Sequence, residues 1–231
     1  SALSLKQFNA GQSNPTYLLT ATPPAFLPHR GHLGEATEPR KFVLRKRPRD
    51  VKVASAHAVD REFAVLRALY DTPVPVPAVY VLCLDESVLG ASFYLMEFVE
   101  GRIFDDPSMP GLSAAERTAA YRAATGVLAS LHAQDWRRLP GLSKFGRAGN
   151  YFGRQVKRLS AVSDTQAEDA EPIPDKAELV EMLARGLEAA GGDAEASLIH
   201  GDFKIDNLVF SKAGGPIEVI AVLDWELATI G

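Results

Sequence analysis

Cysteine is almost missing from this chain. Cys83 is the only one in 231 residues, so no disulfide can close within it. A reducing, intracellular setting is therefore expected, the cytoplasm first, with an organelle left open. Long apolar runs are missing as well. None approaches the ~18 residues of a membrane span, so no membrane partner is expected. The opening SALSLKQFNAGQSNP lacks the charged-then-apolar layout of a signal peptide. Nor is there a basic excess: 25 Lys and Arg face 29 Asp and Glu, for a net charge of −4. That balance argues against a nucleic-acid partner, while leaving room for local phosphate pockets. No internal repeat is visible. What is present is an ordinary globular mixture, 46% apolar and 23% charged, which excludes global disorder. The length lies between one ordinary domain and two full ones, so one large unit or two lobes sharing a cleft are expected.

Local pattern divides the chain in two. Tyr17–Thr20 and Phe42–Arg45 read as strands, with a Pro-, Gly- and His-rich loop or irregular hairpin over 21–40. Val59, Phe63, Leu66 and Leu69 recur at helical spacing, predicting a helix over Ser55–Leu69. Thr72–Pro77 alternates proline and must be extended. Val79–Leu84 and Ser92–Val99 read as strands. Ser113 and Glu116 form a capping box that opens a long helix to His132, with Tyr121, Ala124, Leu128 and Leu131 as its inner stripe. Gly141–Ser160 carries Lys144, Arg147, Arg154, Lys157 and Arg158 and no acid. It reads as a solvated face or an acidic-substrate surface. Ala177–Ala190 is a second helix, and residues 163–175 a surface loop. Ser197–Ile199, Leu208–Ser211 and Ile217–Leu223 are short strands, the last two joined at Gly214-Gly215. The strand-rich half gives way to the helical half near Val99-Glu100-Gly101.

The chemistry concentrates in LIHGDFKIDNLVF, residues 198–210. Asp202 and Asn207 lie in a polar loop between two apolar strands, where a rigid scaffold can hold catalytic groups. Val222-Leu-Asp-Trp-Glu226 adds a carboxylate at the end of another apolar strand. Side by side, Asp202, Asn207 and Asp224 would offer hard oxygen ligands suited to Mg²⁺ with waters and phosphates. Taken without context, Asp-x-x-x-x-Asn reads first as turn residues capping a β-connection. His200 reads as a loop-holder rather than a base, and Asp206 as a loop brace. Cys83 reads as inert core, Trp136 as packing, and His132 as a helix-end cation.

His200-Gly-Asp-Phe-Lys-Ile-Asp-Asn207 resembles a kinase catalytic loop, in the His-Gly-Asp form of the aminoglycoside phosphotransferase and choline kinase-like superfamily. Asp224-Trp-Glu226 is similar to that family's magnesium motif. Gly11–Tyr17, Phe42–Lys46, Ser55–Phe63 and Met96–Arg102 add a closer likeness to the kinase-like domains related to those fused to acyl-CoA dehydrogenases. The likeness runs along essentially the whole chain.

The resemblance implies an α+β, protein kinase-like, two-lobed fold. Residues 1–99 would be the β-rich nucleotide-binding lobe, and 100–231 a mainly helical catalytic lobe that lacks the family's usual last helices. It implies ATP and Mg²⁺ as cofactors and a small-molecule hydroxyl acceptor, with a hydroxyacyl or hydroxyacyl-CoA compound suggested by the closer likeness. Asp202 would orient or deprotonate the acceptor hydroxyl. Asn207 and Asp224 would hold magnesium, and Lys204 would approach the γ-phosphate unless it is a solvated charge. Gly11, Gln12, Ser13 and Asn14 would cover the nucleotide. Arg45, or else Lys46 on the opposite strand face, would contact phosphates and pair with Glu62. Glu97, Phe98 and Val99 would meet the adenine. Glu226 stands open between a metal-shell and a structural role. A non-catalytic kinase-like nucleotide-binding module is the alternative function, and a metal-dependent hydrolase ranks last.

Overall fold

The computed structural model describes residues 3–8, 14–22, 25–29, 32–36, 38–48, 59–143, 145–168, 171–189 and 196–231. Its first part is a five-stranded antiparallel sheet in the order β1-β2-β5-β7-β6. The strands are β1 (Leu3–Gln7), β2 (Thr16–Ala21), β5 (Arg40–Lys46), β6 (Val79–Cys83) and β7 (Phe93–Glu97). The stretch 21–40 contributes a separate hairpin, β3 (Ala25–His29) against β4 (His32–Ala36). β1 has no counterpart in the sequence reading because every one of its residues is exposed. An edge strand with no buried face leaves no alternation to read.

Strand β5 sits in the middle of the sheet, and its Phe42, Val43, Leu44 and Arg45 are all buried. Alternation sorts them. Phe42 joins Ala21, Leu19, Tyr80 and Leu95 on one face, while Val43 packs with Tyr94 and Met96 in the main core. Helix α1 (Val59–Leu69) covers that second face. It is described from Val59 onward, so the expected start at Ser55 lies outside the described residues. Val59, Val65, Leu66 and Leu69 are at most 2% exposed, each worth about 1.5–3 kcal/mol of transfer free energy. Phe63 is only partly buried and stacks edge-on with Tyr94 at 6.1 Å.

The proline run then leads to β6, and the short α2 (Glu86–Leu89) turns the chain into β7, with Asp85 as N-cap and Gly90 in the left-handed region as C-cap. After Glu97 the chain crosses over. Arg102 pairs with Phe210 as an isolated bridge. A Cβ on Gly101 would stand 2.3 Å from the Phe210 carbonyl oxygen, so only glycine lets the crossing strand lie this close.

The second part is mostly helical: α3 (Ala114–His132), α4 (Tyr151–Gln166) and α5 (Lys176–Ala189). Both halves of the Ser113–Glu116 capping box are formed. The buried stripe of α3 is Ala120, Ala124 and Leu131, with Leu128 partly buried. Tyr121 is 44% exposed and donates its hydroxyl to the Pro107 carbonyl, so the expected inner stripe is corrected by one residue there. Helix α4 grows out of the basic segment. Its N-cap Asn150 is left-handed and gives no side-chain cap, so no start signal marks it. Short antiparallel ribbons complete this part: β8 (Leu198–Ile199) with β11 (Thr229–Ile230), and β9 (Leu208–Phe210) with β10 (Val219–Val222). Trp136 is buried, with its indole N–H bonded to the Ala196 carbonyl. Cys83 is half-buried at the end of β6 rather than in the core.

Candidate active site

The loop after β8 is held by His200. That side chain is 1% exposed. Its Nδ1 accepts the Asp202 backbone N–H at 3.2 Å, so Nε2 carries the proton and donates to the Leu223 carbonyl at 2.8 Å. The ring lies between Trp225, 4.5 Å away, and Phe203, 5.8 Å away. Burial pushes the imidazole pKa down and outweighs the Leu223 carbonyl and the nearby Asp224 and Asp202. The histidine is a neutral brace. Gly201, next to it, has φ +89°, and a Cβ there would meet the Leu227 carbonyl oxygen at 2.5 Å. A side chain is barred at this position on both counts.

Asn207 closes a 3₁₀ turn over Ile205–Asn207. Its amide nitrogen donates to the Asp202 carbonyl at 2.8 Å and to Asp202 Oδ2 at 3.1 Å. Its backbone carbonyl accepts the Leu223 N–H at 2.8 Å. Asp202, Asn207 and the residue before Asp224 are thus tied into one unit. Lys204 Nζ stands 3.4 Å from Asp202 and 3.3 Å from Asp206. Its hydrogen bond to Asp206 leads the causes that raise its pKa.

On the other wall, Asp224 is left-handed at φ 63° and opens the 3₁₀ turn Trp225–Leu227. The Trp225 N–H donates to Glu62 Oε1 at 3.2 Å. Arg45 sits at the centre. Its Nε is 3.0 Å from Glu62 Oε2, its terminal nitrogen bonds Asp224, and the same nitrogen lies 3.3 Å from Glu226. The Asn14 amide reaches Glu226 Oε2 at 3.0 Å. Burial pushes the Glu62 carboxyl up to about 7, against the pull of Arg45, and Asp224 adds to the rise. Burial works against the Arg45 charge too, but Glu62, Tyr94 and Asp224 outweigh it and raise its pKa.

Strand alternation separates the two basic candidates. Arg45 faces Glu62 and Asp224, whereas Lys46 donates to the Leu89 carbonyl on the far face. Asn14 is brought to the cleft, and Gly11, Gln12 and Ser13 lie outside the described residues. Glu97 exchanges bonds with the Ala78 backbone: its N–H reaches the Ala78 carbonyl at 2.8 Å, and its carboxylate accepts the Ala78 N–H at 3.2 Å. Phe98 lies under the Lys41 ammonium at 5.4 Å, and Val99 is half-buried at the crossing. Three partners escaped the sequence reading: the Asn14–Glu226 contact, the buried Tyr94 behind Arg45, and the Trp225 N–H on Glu62. The first joins positions 212 apart, and no local pattern carries such a signal. Tyr94 could have been found, because it directly pairs with Arg45 between β7 and β5.

Among the described residues no three His, Cys, Asp or Glu side chains form a ready-made metal cluster. Magnesium asks for less, since it keeps several waters and takes one or two carboxylates together with substrate phosphates. Asn207 and Asp224 are such donors. Glu62, Asp224 and Glu226 also gather around a single guanidinium, an excess of negative charge that a divalent cation would balance. The residues fit that ion.

A five-stranded antiparallel lobe with one covering helix, joined to a helical lobe that carries the Asp202–Asn207 loop, has the protein kinase-like fold of small-molecule phosphotransferases. Residues 4–231 match the phosphotransferase enzyme family called APH, and the chain belongs to that family. It is 44% identical over 235 residues to an Arabidopsis thaliana protein named "Probable acyl-CoA dehydrogenase IBR3", covering 100% of this chain and 27% of that protein. It thus spans about a quarter of the length of that relative. A solved structure from Ralstonia eutropha JMP134, described as "a putative aminoglycoside phosphotransferase", is 40% identical with a TM-score of 0.78, covering 100% of this chain and 60% of that one. The streptomycin–ATP–APH(2")-IIa ternary complex, 18% identical over 99% of this chain and 67% of that one, has a TM-score of 0.64 and shares the fold. No described helix is long and apolar enough to cross a membrane.

Proposed function

We propose that the chain is an ATP-dependent phosphotransferase that moves the γ-phosphoryl group of ATP to the hydroxyl of a small molecule. Residues 1–99 bind the nucleotide and residues 100–231 carry the chemistry. The observation that carries this reading is the unit Asp202–Asn207–Leu223–Asp224 facing the Arg45–Glu62 pair across the cleft. In-line transfer depends on positioning and charge neutralisation more than on covalent chemistry from the protein. Asp202 orients the acceptor hydroxyl and takes its proton as the new O–P bond forms and the bond to ADP breaks. Arg45 offers a fork of donors to the α and β phosphates. Gly11–Asn14 lies over the nucleotide, and Glu97–Val99 borders the adenine. Asn207 and Asp224 would hold magnesium, which would neutralise phosphate charge. Lys204 adds a cation near the γ-phosphate.

The acceptor we infer is a hydroxyacyl compound, such as a hydroxyacyl-CoA. The name of the Arabidopsis relative, an acyl-CoA dehydrogenase, supports this class. A panel of hydroxyacyl-CoAs, choline, sugars and aminoglycosides, assayed for ATP-dependent phosphorylation, tests it. Asp202→Ala should lower turnover of the accepted substrate by about 10²–10⁴-fold while leaving the circular dichroism spectrum unchanged. Full activity in that variant sinks the mechanism. Phosphorylation of an aminoglycoside alone sinks the acceptor assignment.

A further inference from the structure

Helix α1 carries more than the Glu62 carboxylate. Its preceding residue, Arg61, is half-buried, and its guanidinium carbon lies 4.1 Å from the centroid of the Phe145 ring. Phe145 is 7% exposed and belongs to the segment between α3 and α4. A terminal nitrogen of Arg61 is also 3.5 Å from the Ala228 carbonyl oxygen, at the close of the turn that Asp224 opens. Adjacent residues on one helix therefore meet the second lobe at three places: Arg61 at Phe145, Arg61 at Ala228, and Glu62 at the Trp225 N–H. Only then does Glu62 turn to Arg45 in the sheet.

A cation held over a buried ring fixes a position as well as an energy. The ring face attracts the cation over a short range, and a partly desolvated pair of this kind shifts a docking equilibrium about 2- to 30-fold. Glu62 needs such help. A single carboxylate has to meet Arg45 and a backbone N–H of the other lobe together, and a small slide of α1 would break one contact or the other.

We propose that Arg61 is a positioning residue for phosphotransfer: it docks α1 on the second lobe through Phe145 and Ala228, and so sets Glu62 and Arg45 for the nucleotide phosphates. This rests on the nucleotide-binding reading above. The contact also links α1 to the strip around β11. Gly146, beside Phe145, is so close to Ile230 that a Cβ would stand 2.9 Å from its backbone nitrogen. A displacement of this strip is transmitted to Arg45 through one helix.

Two variants and two measurements test the proposal on the intact chain. Arg61→Met keeps the stem and removes the cation, and Arg61→Lys keeps the cation. Hydrogen exchange is followed by mass spectrometry without ligand, and MgATP affinity by calorimetry. In Arg61→Met, amides of residues 62–69 and 225–228 should exchange about 2- to 30-fold faster while α3 keeps its protection, and the MgATP Kd should rise by a similar factor. Arg61→Lys should recover most of both. Unchanged exchange in the two segments overturns the docking role, as does equal acceleration in α3, which marks general destabilisation. Should the parent chain fail to bind MgATP while the exchange pattern appears as expected, the nucleotide reading falls and the docking stands. A Met variant that binds MgATP as tightly as the parent overturns the positioning role.

Discussion

His200 shows how little of this site is catalytic chemistry and how much is bracing. Its two nitrogens join the Asp202 backbone to the strand that delivers Asp224. Protonation would take away the acceptor for the Asp202 N–H. The pKa is lowered by burial, so the unfolded imidazole binds a proton that the native pocket refuses. Stability from this residue is full above the unfolded value of about 6.5 and is lost as pH falls through the lower native value. Glu62 works in the opposite sense, its raised pKa favouring the native state as pH drops below about 7. The two are separable by comparison. Thermal melts from pH 8 to 5 should show a steeper acid loss in the parent chain than in His200→Gln. Parallel curves would contradict the assignment. At this scale the sequence was informative where spacing is short. Asp202 and Asn207 sit in one loop, so their pairing could be expected. The choice between Arg45 and Lys46 required the strand faces, and the Asn14–Glu226 bond required the whole fold.

Elements were legible in proportion to their local signals. The α3 start was readable because both halves of its capping box are polar side chains three residues apart, and both bonds form. Replacing Ser113 with Ala should cost about 1 kcal/mol of stability, measured by urea denaturation. An unchanged midpoint would show that the cap is idle. Strands β5 and β7 announced themselves through apolar runs bounded by charge and turn residues. Helix α4 did not. It begins at a left-handed asparagine without a cap, and Phe152, Leu159 and Val162 along it are about half exposed. Its apolar residues therefore did not trace a core-facing stripe. The Tyr121 error has a similar origin. The tyrosine finds its hydroxyl partner in the 105–109 loop, and Ala120 takes the inward place, a choice that helical spacing alone does not make.

At the scale of the whole molecule, Arg45 is the electrostatic junction of the two lobes. One guanidinium answers Glu62 from its own lobe and Asp224 and Glu226 from the other. Removing it leaves a buried carboxylate uncompensated. Arg45→Met should therefore destabilise the chain by about 3–5 kcal/mol, and the double variant with Glu62→Met should recover part of that loss. Additive losses in the double-mutant cycle would mean the pair is not energetically coupled. The change from strands to helices was foreseeable from the pattern near Val99. The junction itself was not, since it joins residues 17 and 179 positions apart.

The crossing near Gly101 is not the sole attachment between the lobes. Arg102 exchanges backbone bonds with Phe210 on β9, and Pro75, far upstream in the proline run, accepts the Val222 N–H of β10 at 2.9 Å. Both grips fall on the same β-ribbon. The sheet is therefore strapped to one ribbon from two places in the chain, Gly101–Arg102 and Pro75, so a load on β9–β10 reaches it by two routes. The proline run, which cannot form a helix, leads from this second strap directly into β6.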